Sequence, residues 1–98
     1  MLGCENIRGA GMSRETKGIV TWKQIGKTKS RKGTFTLDGC TVEMYVVHEA
    51  GFGGNTKFRI DVLADGEQKY RSWIRVYDED KSRRDAMHVA TTQGLRYV

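Results

Sequence analysis

The chain has 98 residues, 38% hydrophobic and 30% charged, with a net charge of +5; this is the composition of one small globular domain and excludes a disordered chain. No apolar run approaches the ~18 residues of a membrane span, and the N-terminus lacks the continuous apolar core of a signal peptide, so the expected compartment is the cytoplasm. Charge is unevenly placed: residues 1–37 hold eight Lys/Arg against Glu5 and Glu15, whereas residues 38–98 hold nine basic and ten acidic residues.

Residues 1–17 show neither helical nor strand periodicity and contain three glycines. They are expected to form a flexible tail ahead of one domain over 18–98. Gly9 and Gly11 do not make a phosphate loop, because no strand precedes them and no GK[ST] follows. A first strand is expected over 19–25, "IVTWKQI". The densest positive stretch, "KQIGKTKSRKG" at 23–33, reads as a solvated basic loop that attracts polyanions.

"TFTLDGCTVEMYVVHE", 34–49, predicts a hairpin around Asp38-Gly39. A two-residue turn pairs Leu37 with Cys40 and Phe35 with Val42, which leaves Val42, Met44 and Val46 on one face. After the glycine-rich loop 49–55, "KFRIDVLA" at 57–64 alternates Phe58, Ile60 and Val62 with Lys57, Arg59 and Asp61. Asp65-Gly66 then leads into "KYRSWIRVY", 69–77. A strict two-residue turn would pair Ile60 with Arg71. A three-residue loop pairs Ile60 with Tyr70 and keeps one side apolar, so that register is expected.

"DEDKSRRDAMHVATTQG", 78–94, predicts the one helix. Asp78, Glu79 and Asp80 suit its N-terminus, with Asp80 or Ser82 as cap, and Gly94 suits a C-terminal cap. Ala86, Met87, Val89 and Ala90 form its apolar stripe. "LRYV", 95–98, is expected as a short edge strand. The sum is an α+β fold: an antiparallel sheet of about five strands, with one C-terminal helix on one face and the other face wet.

That wet face carries the candidate site. Lys57, Arg59, Arg71, Trp73, Arg75 and Tyr77 interleave cations with rings. Guanidinium groups neutralise phosphates, and a flat ring stacks on an exposed base for ~1–3 kcal/mol. Lys27, Lys29, Arg31 and Lys32 of the basic loop would extend the track. Arg83 and Arg84, in the first helical turns, read as i,i+4 partners of Glu79 and Asp80. The partner expected is DNA or RNA.

The order of strands before a helix is similar in outline to the three-stranded arm-binding domains of tyrosine integrases. It also resembles single-strand-binding domains of the transcriptional-coactivator type. The likeness covers residues 40–93 and rests on element order and charge, with no diagnostic motif, and it implies nucleic-acid binding. Small basic domains of this kind also occur among phage and mobile-element proteins that block host defence. The alternative function is therefore an inhibitor that binds a host protein or ribonucleoprotein complex.

Catalysis is not expected. Cys40, His48, His88 and Ser72 are not linked by any motif. The two cysteines do not form a CxxC pair, and Cys4, Cys40, His48 and His88 lack zinc-ligand spacing, so no metal or other cofactor is implied. Cys40 reads instead as a small apolar residue beside a turn.

Overall fold

The computed structural model describes residues 20–37, 39–51, 53 and 55–97. The tail expected over 1–17, with Cys4, Gly9 and Gly11, lies outside the described residues. Strands β1 (Thr21–Gln24), β2 (Arg31–Leu37), β3 (Cys40–Ala50), β4 (Thr56–Ala64) and β5 (Glu67–Arg75) precede helix α1 (Glu79–Gly94). The strands pair in chain order, all antiparallel, and form one five-stranded sheet. This is the expected α+β architecture.

The β2–β3 hairpin has the register that its alternation requires. Leu37 pairs with Cys40 and Phe35 with Val42. Gly39 supplies the positive φ, +79°, that a tight hairpin turn needs. Strand β2 starts three residues earlier than expected, however. "KQIGKTKSRKG" is therefore not one loop but the end of β1, a turn and the start of β2. Within the turn the Ile25 N–H donates to the Ser30 carbonyl at 3.1 Å and the Thr28 N–H to the Ile25 carbonyl at 3.2 Å. Pairing of Arg31 with Val46 and Lys32 with Tyr45 draws these polar residues into the sheet. Tertiary hydrogen bonding overrides their loop-like composition.

The β4–β5 connection corrects a second expectation. The turn has two residues, Asp65 (φ 50°) and Gly66 (φ 85°), both in the left-handed region that matches strand twist. A β-bulge at Val62/Leu63 then shifts the register, so that Val62 pairs with Tyr70, Ile60 with Ser72 and Phe58 with Ile74. The extra residue sits in the strand rather than in the loop. Facing parity is restored either way, because only parity decides which side chains share a face.

The core lies between the sheet and α1. Val42, Met44, Val46, Phe58, Ile60 and Val62 are fully excluded from water, as are Ala86 and Ala90 of the helix. Burial of each large side chain stabilises the fold by ~1.5–3 kcal/mol. The buried stripe of α1 is Ser82, Ala86, Ala90 and Gly94, one residue per turn, whereas Met87 and Val89 are only half-buried. Small side chains let the helix axis approach the sheet closely.

Gly94 is part of that approach. A Cβ placed on it would lie 3.1 Å from Val42 Cγ1 and 3.3 Å from Phe35 Cε1. It is thus a packing glycine inside the helix and not the left-handed cap expected. The chain continues as a turn of 3₁₀ helix, Leu95–Tyr97, where an edge strand was expected. Leu95 and Tyr97 pack against the core, and that burial holds the segment against the sheet rather than along its edge. At the other end Asp78 is the N-cap, its carboxylate accepting the Lys81 N–H at 3.0 Å. Ser82, expected as a cap, instead accepts the Tyr77 N–H at 3.3 Å.

Beyond its pairing with β2, strand β1 packs onto the core through Trp22. Trp22 pairs opposite Gly33, and a Cβ on Gly33 would lie 2.8 Å from the indole ring. The ring therefore fills the space that a side chain on β2 would occupy, on the helix side of the sheet.

Candidate functional site

Cross-strand pairing places the outer-face residues in rows. One row crosses all five strands: Lys23, Lys32, Tyr45, Asp61, Arg71. The next holds Val47, Arg59 and Trp73, and a third holds Glu49, Lys57 and Arg75. Arg59, Arg71, Trp73 and Arg75 thus share a face, as expected. Trp73 is 49% exposed, and among the described residues no further element is layered over the ring.

The carboxylates on this face organise its cations. Asp61 is only 5% exposed, yet it points to the open side. Its Oδ2 accepts from Arg59 Nε at 2.9 Å and its Oδ1 from Arg71 Nε at 2.6 Å. Arg59 Nη1 also donates to Glu49 Oε2 at 2.6 Å, and Arg71 Nη2 to Gln68 Oε1 at 3.1 Å. The second oxygen of Glu49 accepts from Trp73 Nε1 at 3.1 Å. One connected network therefore fixes both guanidinium planes and the indole. Charge-assisted hydrogen bonds of this kind are about twice as strong as neutral ones. Both guanidinium groups, however, spend part of their charge within the protein.

Near β1 the pattern changes. The Lys32 ammonium lies 3.3 Å from Glu43 Oε2 and 5.4 Å from the Tyr45 ring centroid. Hydrogen bonding to Tyr45, then to Glu43, raises its pKa above the ordinary lysine value, so it stays charged across the neutral range. Lys23, Lys57 and Arg75 are exposed, and among the described residues no ion pair holds them. Tyr45 and Lys23 were not singled out from the sequence. The alternation of Val42, Met44 and Val46 already sends Tyr45 to the opposite face, which is the signal that could have found it.

The remaining candidates scatter. Tyr77 is 83% exposed and lies beyond β5, where no pleat fixes its side; the Arg75 guanidinium is 6.0 Å from its ring centroid. Arg31 pairs with Val46 and belongs to the helix side of the sheet, not to the outer track. Lys27 is exposed in the β1–β2 turn. Lys29 binds Glu79 Oε1 at 3.0 Å, tying that turn to the start of α1 and lowering the Glu79 pKa. Arg83 bonds Glu79 Oε2 at 3.3 Å and Asp80 Oδ1 at 2.8 Å. The expected Asp80–Arg84 pair is absent among the described residues.

Among the described residues no group of three or more His, Cys, Asp or Glu is placed to hold a metal ion. Cys40 is buried beside the β2–β3 turn, as expected, but it is not a free thiol, which corrects its reading as simply a small apolar residue. His48 packs edge-on against Phe58, with ring centroids 5.3 Å apart. No described helix is long and apolar enough to cross a membrane. No family model matches the chain, and no curated protein or solved structure is significantly similar to it.

Proposed function

We propose that the protein binds nucleic acid on the open face of its sheet. The observation that supports this most is the exposed Trp73 ring, held by Glu49 within a face whose lysines and arginines outnumber its carboxylates. About half of the residue is open to solvent. A fixed, accessible ring can stack on any base, while Lys23, Lys57 and Arg75 remain to neutralise phosphates. The compartment that goes with this function is the cytoplasm.

A second function fits one specific feature. Because Glu49 and Asp61 pair with Arg59 and Arg71, the β4–β5 half of the face is a mixed-charge patch of Arg and Trp. Protein interfaces favour that composition. It suits an inhibitor that docks on a host protein or ribonucleoprotein complex.

One titration separates the two. Fluorescence anisotropy on single- and double-stranded DNA and RNA, at two salt concentrations, is expected to show binding that weakens with salt. Trp73→Ala should remain folded, losing less than about 1 kcal/mol as an exposed substitution, yet bind at least tenfold more weakly at both salts. Absence of binding to every nucleic acid at low salt would leave the protein-binding function in its place.

A further inference from the structure

The outer face has a second feature, at the opposite edge from Trp73. Two cross-strand pairs, Thr21 with Thr34 and Lys23 with Lys32, stand side by side on β1 and β2. With Thr36 and Phe35 they line a groove of about 480 Å³. Its polar side chains are ammonium and hydroxyl groups only, so it offers hydrogen-bond donors and positive charge without a carboxylate in its wall. Like charges directly opposite each other destabilise a strand pair. Lys32 is relieved by leaning toward Glu43 and Tyr45, whereas Lys23 has no ion pair among the described residues. Lysine on an edge strand does blunt edge-to-edge pairing. Blunting the edge does not account for the facing Lys32 or for the hydroxyl groups beside it.

We infer that this groove is a phosphate seat for a single-stranded nucleic acid whose bases stack at Trp73. The inference rests on the proposed function and deepens it. Adjacent strands lie ~4.8 Å apart, so β1–β2 and β5 are separated by ~14–19 Å across the sheet. At ~3.4 Å per stacked nucleotide, that distance takes about four to six nucleotides. Tyr45, midway along the row from Lys23 to Arg71, lies under such a strand. The polarity follows from the residues: phosphate contacts collect on the lysine–threonine side, and the network-held ring serves the bases. A duplex does not suit the site, because its bases are already stacked on one another.

Length and substitution together test this. Fluorescein-labelled oligothymidylates of two, four, six and eight nucleotides are titrated against the full chain and its Lys23→Ala variant. Lys81→Ala, on the exposed helix surface, is the control. Lys23→Ala should bind the six- and eight-nucleotide strands about five- to tenfold more weakly. Its salt slope should be shallower by ~0.7, the value for one lost phosphate contact on a single strand. The two-nucleotide strand, too short to reach from Trp73, should show no difference. A penalty equal at every length, no penalty at any length, or binding of duplex alone overturns the seat and leaves nucleic-acid binding standing. Absence of binding by the unsubstituted chain to any nucleic acid removes both.

Discussion

Strand β4 contributes to two surfaces held by different physics. On the helix side Phe58, Ile60 and Val62 are wholly removed from water, and their stabilisation needs no particular partner because apolar burial is non-directional. On the open side Arg59 and Asp61, from the same strand, are satisfied only through directed bonds to Glu49 and Arg71. One face tolerates any well-packed apolar set. The other depends on individual atoms, so its residues can be specialised for a ligand without rebuilding the core.

The sharpest way to break the comparison is Phe58→Ala. It should destabilise the protein by ~3–5 kcal/mol, read from urea unfolding, with a loss that varies little with salt. Binding per folded molecule should be unchanged, since Phe58 lies on the covered face. A salt-dependent loss would mean that the two faces are not independent.

Asp61→Asn probes the open face with a smaller effect. It removes the charge and replaces one of the two oxygens that accept from Arg59 and Arg71 by an amide donor, and a charged hydrogen bond contributes ~1.5–3 kcal/mol. Solvent screening of the exposed Arg71 reduces the expected loss to ~1–2 kcal/mol. The direction of the binding change separates the two proposed functions. Nucleic acid should bind more tightly, with a steeper salt dependence, because a negative charge is gone and two guanidinium groups are released. A protein partner that contacts the intact network should bind more weakly.

The smallest effect lies where the β1–β2 turn meets the helix. Lys29 holds the Glu79 carboxyl below its ordinary pKa, so the ionised form is favoured in the folded state. A depressed carboxyl pKa adds stability that is complete above the unfolded value, ~4.3, and fades as pH falls through the folded one. Lys29→Ala should therefore lower the unfolding midpoint slightly near neutral pH. The variant and the unsubstituted chain should converge in acid, once Glu79 is protonated in the folded state as well. Equal midpoints at neutral pH would mean that the Lys29–Glu79 bridge contributes nothing measurable, as many exposed pairs do not.

Much of this molecule was legible before any coordinates. Period-two alternation of Phe58, Ile60 and Val62 against Lys57, Arg59 and Asp61 identifies a strand with one wet face. Asp38-Gly39 between two apolar runs sets the β2–β3 register. Arg59, Arg71, Trp73 and Arg75 could be assigned to one surface because parity alone decides facing. The same rule explains why the wrong β4–β5 turn still yielded the right faces: a bulge and a longer loop each add one residue. What alternation could not reveal was Arg31, whose lysine-rich surroundings look like loop but which pairs with Val46 on the covered side.

The sequence by itself determined periodicity, local turn chemistry and the sign of the charge, since these depend on residues near each other in the chain. Only the tertiary structure decided which charges meet. Glu49 and Trp73 are 24 residues apart, as are Thr41 and Asp65, and nothing local foretells either bond. Asp61 reads in sequence as one more exposed carboxylate, yet the sheet sets it between Arg59 of its own strand and Arg71 of the next. Gly94 likewise reads as a helix cap until Val42, Phe35 and Met44 close over it. The physical reason is the same in each case. Pairing across strands and packing between layers join residues whose separation along the chain carries no signal, and their energies exceed the local preferences they override.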